Sequence, residues 1–366
     1  MRIFRPSSSA ASSRPRPVGS GCWNLPTVSA VGALGLSALA LVLPVDFVTE
    51  SPGPTFNTTG DYKDRKLISI EGADTFPTDG RLDMTTVQVA GGPNSTIGAL
   101  QVLSSWFEPS HAVLPSDLVY SPAVSSQEVS ERNSADMTNS QEIAQAAALT
   151  YLGVGYGETL TITGTAEGSP SAGVFEHGDI IRAVNDQPLS SYQSLTQALD
   201  ASAGQPVLVS FERAGQAQQL ELSPVFNEQT GRYVLGLYIS RTFDFPLKVT
   251  YGLDQVGGPS AGLMFSLGII DELTDGSMTG GKHFAGTGSI ETDGTVGSIG
   301  GIEQKMKGAR EAGAQVFLVP EGNCADAAYA VPDGLSLVKV TTLAEAADAV
   351  TRIGAGEDPA VFPTCS

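Results

Sequence analysis

Residues 256–266 read VGGPSAGLMFS. Gly257 and Gly258 let the backbone approach a neighbour closely, and Pro259 stiffens that approach. The apolar run through Leu273 then predicts a helix with Ser260 at its mouth. A helix start leaves N–H groups without intrahelical acceptors and carries the positive end of the dipole. The backbone of Gly257, Gly258 and Pro259 is therefore the candidate substrate and oxyanion segment, and N–H groups at the helix start beside Ser260 would hold a developing oxyanion, each worth about 3 kcal/mol. A serine hydroxyl becomes a useful nucleophile only when a base takes its proton. The chain has three histidines, His111, His177 and His283, and none has a recognisable orienting acid beside it.

The other base available to a serine is a lysine whose charge is suppressed by desolvation. Lys305 stands one turn into a helix launched by Gly300-Gly301, with Ile302 three residues before it on the same face. Lys307 points elsewhere. Between Ser260 and Lys305 runs GTGSIETDGTVGSIGG, a strand-turn-strand pattern, and after them come AREAGA and the buried strand QVFLVP.

In this order, GGPSAG, GTG, GGIEQK and QVFLVP resemble the proteolytic domain of the Lon proteases, most clearly over residues 246–320. The resemblance implies a Ser-Lys dyad. Ser260 matches the nucleophile, Lys305 the base, and Thr287 the threonine that supports the lysine. Many Lon proteins carry Asp three residues before the serine, where this chain has Gly257. The run Gly276 to Lys282 fits G-x4-G-K but lacks the following Ser or Thr, so it is rejected as a phosphate loop. No cofactor is expected, and no metal, because H-E-x-x-H is missing.

Upstream, residues 150–225 change style. Gly168-Ser169-Pro170, Gly178-Asp179-Ile180-Ile181, the Asn185-Asp186 turn and a helix carrying Leu195 and Leu199 resemble a PDZ domain. That resemblance implies a groove that takes an extended peptide by strand addition. Its loop for the peptide end is assigned to Tyr151-Leu152-Gly153-Val154. Before it, NSQEIAQAAALTYLG predicts a helix over 139–153, and residues 108–136 read as surface loop. GRLDMTTVQVAGG and MTNSQEIAQAAAL resemble the first strand and first helix of the Lon fold, so the PDZ unit is expected as an insertion. TTVQV and FPLKVTY should then share a sheet.

The chain has 366 residues and a net charge of −19, which argues against nucleic acid as a partner. Residues 1–20 hold Arg2, Arg5, Arg14 and Arg16 and no acid. TVSAVGALGLSALALVLPV, residues 27–45, carries no charge and reads as an uncleaved anchor with its N-terminus in the cytoplasm. A cleaved signal peptide is the rival, with Ala38-Leu39-Ala40 as its site.

The expected organisation is a basic tail (1–24), a transmembrane anchor (25–46), an extracytoplasmic segment (47–149), a PDZ domain (150–225) and a Lon-type domain (226–366). The fold class is α/β (α+β), plus a small, mostly-β PDZ unit. The whole resembles the membrane-anchored, PDZ-containing Lon-like proteases of bacteria. The implied activity is an ATP-independent serine endopeptidase of the cell envelope, acting on flexible or unfolded protein segments, with a homo-oligomer allowed. The alternatives are an anchored PDZ adaptor with an inactive protease domain and a Ser-His hydrolase using His283.

In a compartment outside the membrane Cys324 and Cys365 should pair, closing a loop of about 40 residues worth about 4 kcal/mol. Cys324 should resist alkylation by iodoacetamide until reductant is added; its modification in the native, unreduced chain would rule the pairing out.

Overall fold

The computed structural model describes residues 25–121, 124–253 and 256–365. The expected basic tail and Asp254 lie outside them. Helix α1, Leu25–Val42, has 18 residues and rises about 27 Å. It ends before Pro44, which instead bridges to Gly98. Among the described residues no helix is long and apolar enough to cross a membrane.

Strands β1 (Phe47–Asn57), β2 (Arg81–Gly91) and β3 (Ala112–Pro115) come next, then the long helix α2 (Ser126–Tyr151). The sequence places this helix from 139 and leaves 126–136 as loop. Ser125 and Glu128 overturn that expectation, because they form a capping box one helical stretch earlier.

The chain then builds a separate antiparallel sheet from β4 (Gly157–Thr165), β5 (Ile180–Val184), helix α3 (Tyr192–Ala201), β6 (Val207–Arg213), β7 (Gln216–Leu222) and β8 (Leu237–Asp244). Its order is β7-β6-β5-β4-β8, so β8 is an edge. This unit runs past the expected boundary at 225. The alternating burial of LYISRTFD suits a half-covered strand, and it pairs with β4 along its length.

The remaining elements are α4 (Gly262–Leu273), β9 (His283–Gly286), α5 (Ile302–Glu311), β10 (Val316–Pro320), β11 (Ser336–Val340) and α6 (Leu343–Gly354). The main sheet has six strands in the order β11-β10-β9-β2-β1-β3. β11, β10, β9 and β2 are mutually parallel, while β1 and β3 run antiparallel to their neighbours. Three strands thus come from before the PDZ-like sheet and three from after it.

The test strand does not behave as expected. Lys248–Tyr251 pairs with Ile68–Glu71 in a two-stranded ribbon, not with the sheet that holds TTVQV. The insertion expectation fails on that pairing, although the main sheet takes β1–β3 from before the separate antiparallel sheet and β9–β11 from after it.

Side-chain alternation places a core on each face of the main sheet. Phe284, Val316, Leu318 and Val338 pack on the side of Phe265 and Val350, from α4 and α6. Ala285, Phe317, Val319 and Leu337 pack on the side of Ile302 and Met306, from α5. β10 is buried at all five residues, as an interior parallel strand must be. The Cys324–Cys365 disulfide fastens the C-terminal tail to the second of these layers.

Asp271, in α4, is 1% exposed and accepts a hydrogen bond from Met278 N at 2.6 Å. Its second oxygen has no partner among the described residues. Burial raises its pKa from the ordinary value of 3.8 to about 6, with the Asp79 charge adding to the rise. The folded state therefore binds this proton more tightly than the unfolded chain does. Its contribution is most favourable below about pH 4 and is lost as pH rises through about 6. Asp271→Asn should flatten the urea-unfolding midpoint between those limits, while the parent chain loses stability across them.

Candidate active site

The serine turn and the lysine helix lie on opposite faces of the sheet, and they meet where β9 ends. β9 pairs with β2 only as far as Gly286 opposite Met84. Beyond that point the chain leaves the sheet through Thr287-Gly288, and a slot opens at the carboxyl end of the parallel strands. Crevices at that end are where open α/β sheets commonly bind ligands.

Three observations join the elements. Gly288 N donates to Ser260 O at 2.9 Å, and Leu263 N donates to Gly288 O at 3.1 Å, which stitches the serine turn to the end of β9. Thr287 Oγ1 donates to Ser260 O at 2.9 Å. Lys305 Nζ donates to Thr287 Oγ1 at 3.0 Å. Ser260 and Lys305 line the same cavity of about 510 Å³. Among the described residues no direct hydrogen bond joins their side chains, so Thr287 is the bridge.

Lys305 is 3% exposed. Burial pushes its pKa down to about 8, against the opposing pull of the Glu50 carboxylate. Glu50, from β1, lines the same cavity and is itself raised by burial, with Lys305 lowering it. Gly301 starts α5 in the left-handed region at φ 68°. A Cβ there would lie 2.6 Å from Val87 Cγ2, so both its dihedral and its space call for glycine.

α2 braces the serine turn. Ser140 Oγ donates to Pro259 O at 3.2 Å, and Gly258 N donates to Asn133 O at 3.1 Å. These bonds correct the proposed oxyanion set. The Gly258 N–H is committed to α2, Gly257 precedes it in the braced turn, and Pro259 has no N–H to give. Leu263 N, in the first turn of α4, is likewise taken by Gly288 O, so the remaining candidate donors are at the mouth of that helix, where Ser260 and Ala261 line the cavity. A Cβ on Gly257 would lie 2.6 Å from Asn133 Cβ. An aspartate at that position would need α2 to move.

The cavity has an apolar floor of Phe56, Tyr62, Met84, Met137, Val256 and Ala261. Along one wall run Thr86 to Val89, paired to β1 on one side. Among the described residues no strand occupies their other edge. The sequence does not reveal Glu50, because it reads there only as an acid after the apolar segment. Its place beside Lys305 is set by strand pairing.

His283 does have an orienting acid, contrary to the sequence reading. Its Nε2 lies 2.9 Å from Asp83 Oδ2. The pair sits at the start of β9, about 10 Å of strand from Gly286 and outside the Ser260 cavity. The Ser-His alternative fails on that separation.

Tyr151-Leu152-Gly153-Val154 is the C-terminal cap of α2, with Val154 N donating to Leu149 O at 2.9 Å. Gly153 and Val154 line a depression of about 320 Å³ with Ser190, Ser191 and Gln193, and no residue of β8 is in its lining. A second Leu-Gly stretch, Val234-Leu235-Gly236-Leu237, leads into edge strand β8. Ser171 Oγ holds it by donating to Leu235 O at 2.8 Å and Gly236 O at 3.1 Å.

Beside this edge Tyr192, Ile239, Ser240 and Arg241 line a cavity of about 500 Å³ that also takes in Asn139 and Glu291. Arg241 pairs with Glu158 at 2.6 Å and donates to Thr292 Oγ1 at 2.9 Å. Gln193 Nε2 donates to Asp293 Oδ2 at 3.0 Å. The cavity beside β8 therefore abuts the hairpin that continues from Thr287-Gly288.

Residues 239–352 match the family described as the Lon protease (S16) C-terminal proteolytic domain. A Lon protease of Roseiflexus castenholzii is 37% identical over 83 residues, 23% of this chain and 10% of that protein. An archaeal Lon protease of Methanocaldococcus jannaschii is 30% identical over 99 residues, 27% of this chain and 15% of that protein. The PDZ domain of an SdrC-like protein from Listeria innocua covers 22% of this chain and 92% of that domain, at 17% identity and a TM-score of 0.21. That stretch is where the likeness to the Lon proteolytic domain lies, and the chain spans only 10% and 15% of the length of those two curated relatives.

A lysine base must be neutral to act, so cleavage should rise with pH through about 8 and level off above it. Removing the Glu50 charge takes away the influence that favours the ammonium. Glu50→Gln should therefore move that limb to lower pH, as read from kcat/KM against pH on a peptide substrate.

Proposed function

We propose that this chain is a serine endopeptidase in which Ser260 attacks the scissile carbonyl and Lys305 is the general base. The observation that carries the reading is the lysine amine. It is buried, held 3.0 Å from Thr287 Oγ1, and shares one cavity with Ser260. Burial lowers its pKa to about 8, which supplies a neutral fraction near physiological pH that a solvated lysine would not offer.

In the proposed reaction an extended segment adds to the free edge of Thr86–Val89, with an apolar side chain on the floor of Phe56, Met84 and Met137. Lys305 Nζ takes the Ser260 proton as Oγ bonds to the carbonyl carbon. The oxyanion forms against backbone N–H groups at the mouth of α4, where Ser260 and Ala261 line the cavity. The lysine then returns the proton to the leaving amine, and the peptide C–N bond breaks. Water, deprotonated by the same amine, hydrolyses the acyl-serine. Thr287 positions the amine throughout.

No step requires a nucleotide, metal or other cofactor, so the proposed substrates are segments already flexible or unfolded. The edge of β8 beside α3 is proposed to take a peptide end and present it, at Leu235–Ile239 and not at Tyr151–Val154. α1 is proposed to sit in the plasma membrane, with the N-terminus in the cytoplasm and the chain beyond Asp46 outside it. A homo-oligomer remains part of this proposal.

Ser260→Ala and Lys305→Ala should each abolish cleavage of casein by the full chain, and Thr287→Ala should lower kcat with little change in KM. Cleavage that survives Lys305→Ala would overturn the dyad. A native chain that cleaves neither casein nor itself would favour the adaptor reading.

A further inference from the structure

Three segments meet where α1 leaves for the folded body, and backbone bonds lace them together. Pro44 bridges to Gly98, Val45 N donates to Ile97 O at 3.0 Å, and Ser116 N donates to Asp46 O at 3.1 Å. The Ala99–Trp106 helix grows from the second segment and the short Ser116–Val119 helix from the third. Val102 and Ser105 face inward. Leu100, Leu103 and Trp106, three apart on the opposite face, point to solvent together with Phe107, Leu43 and Leu118. Trp106 is 71% exposed and Phe107 84% exposed.

Scattered exposed apolar residues need no explanation, but a contiguous patch does. This one is continuous with α1, whose Val31, Leu34, Leu36 and Leu39 are also uncovered. α1 itself rises about 27 Å, a little short of a hydrocarbon layer of about 30 Å. Four arginines and no acid precede it in residues 1–20, which suits a cytoplasmic headgroup layer on the far side.

We propose that the Ala99–Phe107 segment, with Leu43 and Leu118, is a membrane-surface seat that inserts into the outer headgroup–acyl boundary. The occupant is the lipid bilayer. The seat extends the apolar zone of α1 by the depth that its own length lacks. Aromatic and leucine side chains on one face of a short helix are suited to that boundary. The acids at its rim, Asp46, Glu108 and Asp117, remain in water, so insertion is driven by apolar burial and not by charge. The seat holds the body at a fixed height and tilt, because the lacing bonds leave little freedom between α1 and β1. The proposal rests on the reading that α1 enters the bilayer.

The test uses the full chain in phosphatidylcholine vesicles. The sequence has two tryptophans, so Trp23→Phe leaves Trp106 as sole reporter. The chain should float with the vesicles. Trp106 emission should shift to the blue, lose most of its intensity to shallow brominated lipid, and resist acrylamide. A chain that floats while Trp106 stays as open to acrylamide as in water overturns the seat and leaves the anchor standing. Shielding from acrylamide without quenching by brominated lipid overturns it in favour of a second copy of the chain. A chain that does not float overturns both seat and anchor.

Discussion

Desolvation of one amine organises the centre of this protein. Lys305 could remain charged only if water or a firm counter-ion reached it. Instead Met306 and Ile302 carry its helix into one core of the sheet, and the lysine emerges beneath Thr287. This setting brings the amine's pKa down to about 8, so the neutral form is within reach near physiological pH, and Glu50 moderates the effect without cancelling it. The same burial would make an idle lysine costly. Holding it there is explained by a use for its lone pair.

That centre depends on where a single strand stops. β9 gives four residues to the sheet and then turns out through Thr287-Gly288. Had it continued, β9 would cover the edge of Thr86–Val89 and close the slot. Its departure exposes a strand edge, frees Thr287 to bridge Lys305 and Ser260 O, and leads into the hairpin that touches Gln193 and Arg241. The cavity beside β8 and the cavity of Ser260 and Lys305 are thus reached from two ends of one short run of chain. Helix α2 makes this arrangement possible, because it both braces the serine turn and leads directly into β4.

Much of this was legible one segment at a time. The serine turn, the Gly-Gly helix start and the buried strand Val316–Pro320 each carry local signals: glycine where the backbone must bend, apolar residues where both faces are covered. The long loop reading of 108–136 failed because its polar residues sit on the exposed side of a helix whose start is marked only by Ser125 and Glu128. Tyr151–Val154 and Val234–Leu237 share the same short Leu-Gly pattern. Which of them precedes an edge strand is a property of the sheet.

By itself the sequence determined the kinds of chemical group and their order along the chain: a serine after a tight turn, a threonine between glycines, a lysine behind a glycine pair, and two distant cysteines. Tertiary structure alone decided that Glu50 faces Lys305, that Asn133 leaves no room for a side chain on Gly257, and that His283 and Asp83 pair far from Ser260. The reason is that local patterns report only the nearest few residues. These contacts join positions from 100 to more than 250 residues apart, and they are fixed by strand register and helix packing across the whole sheet.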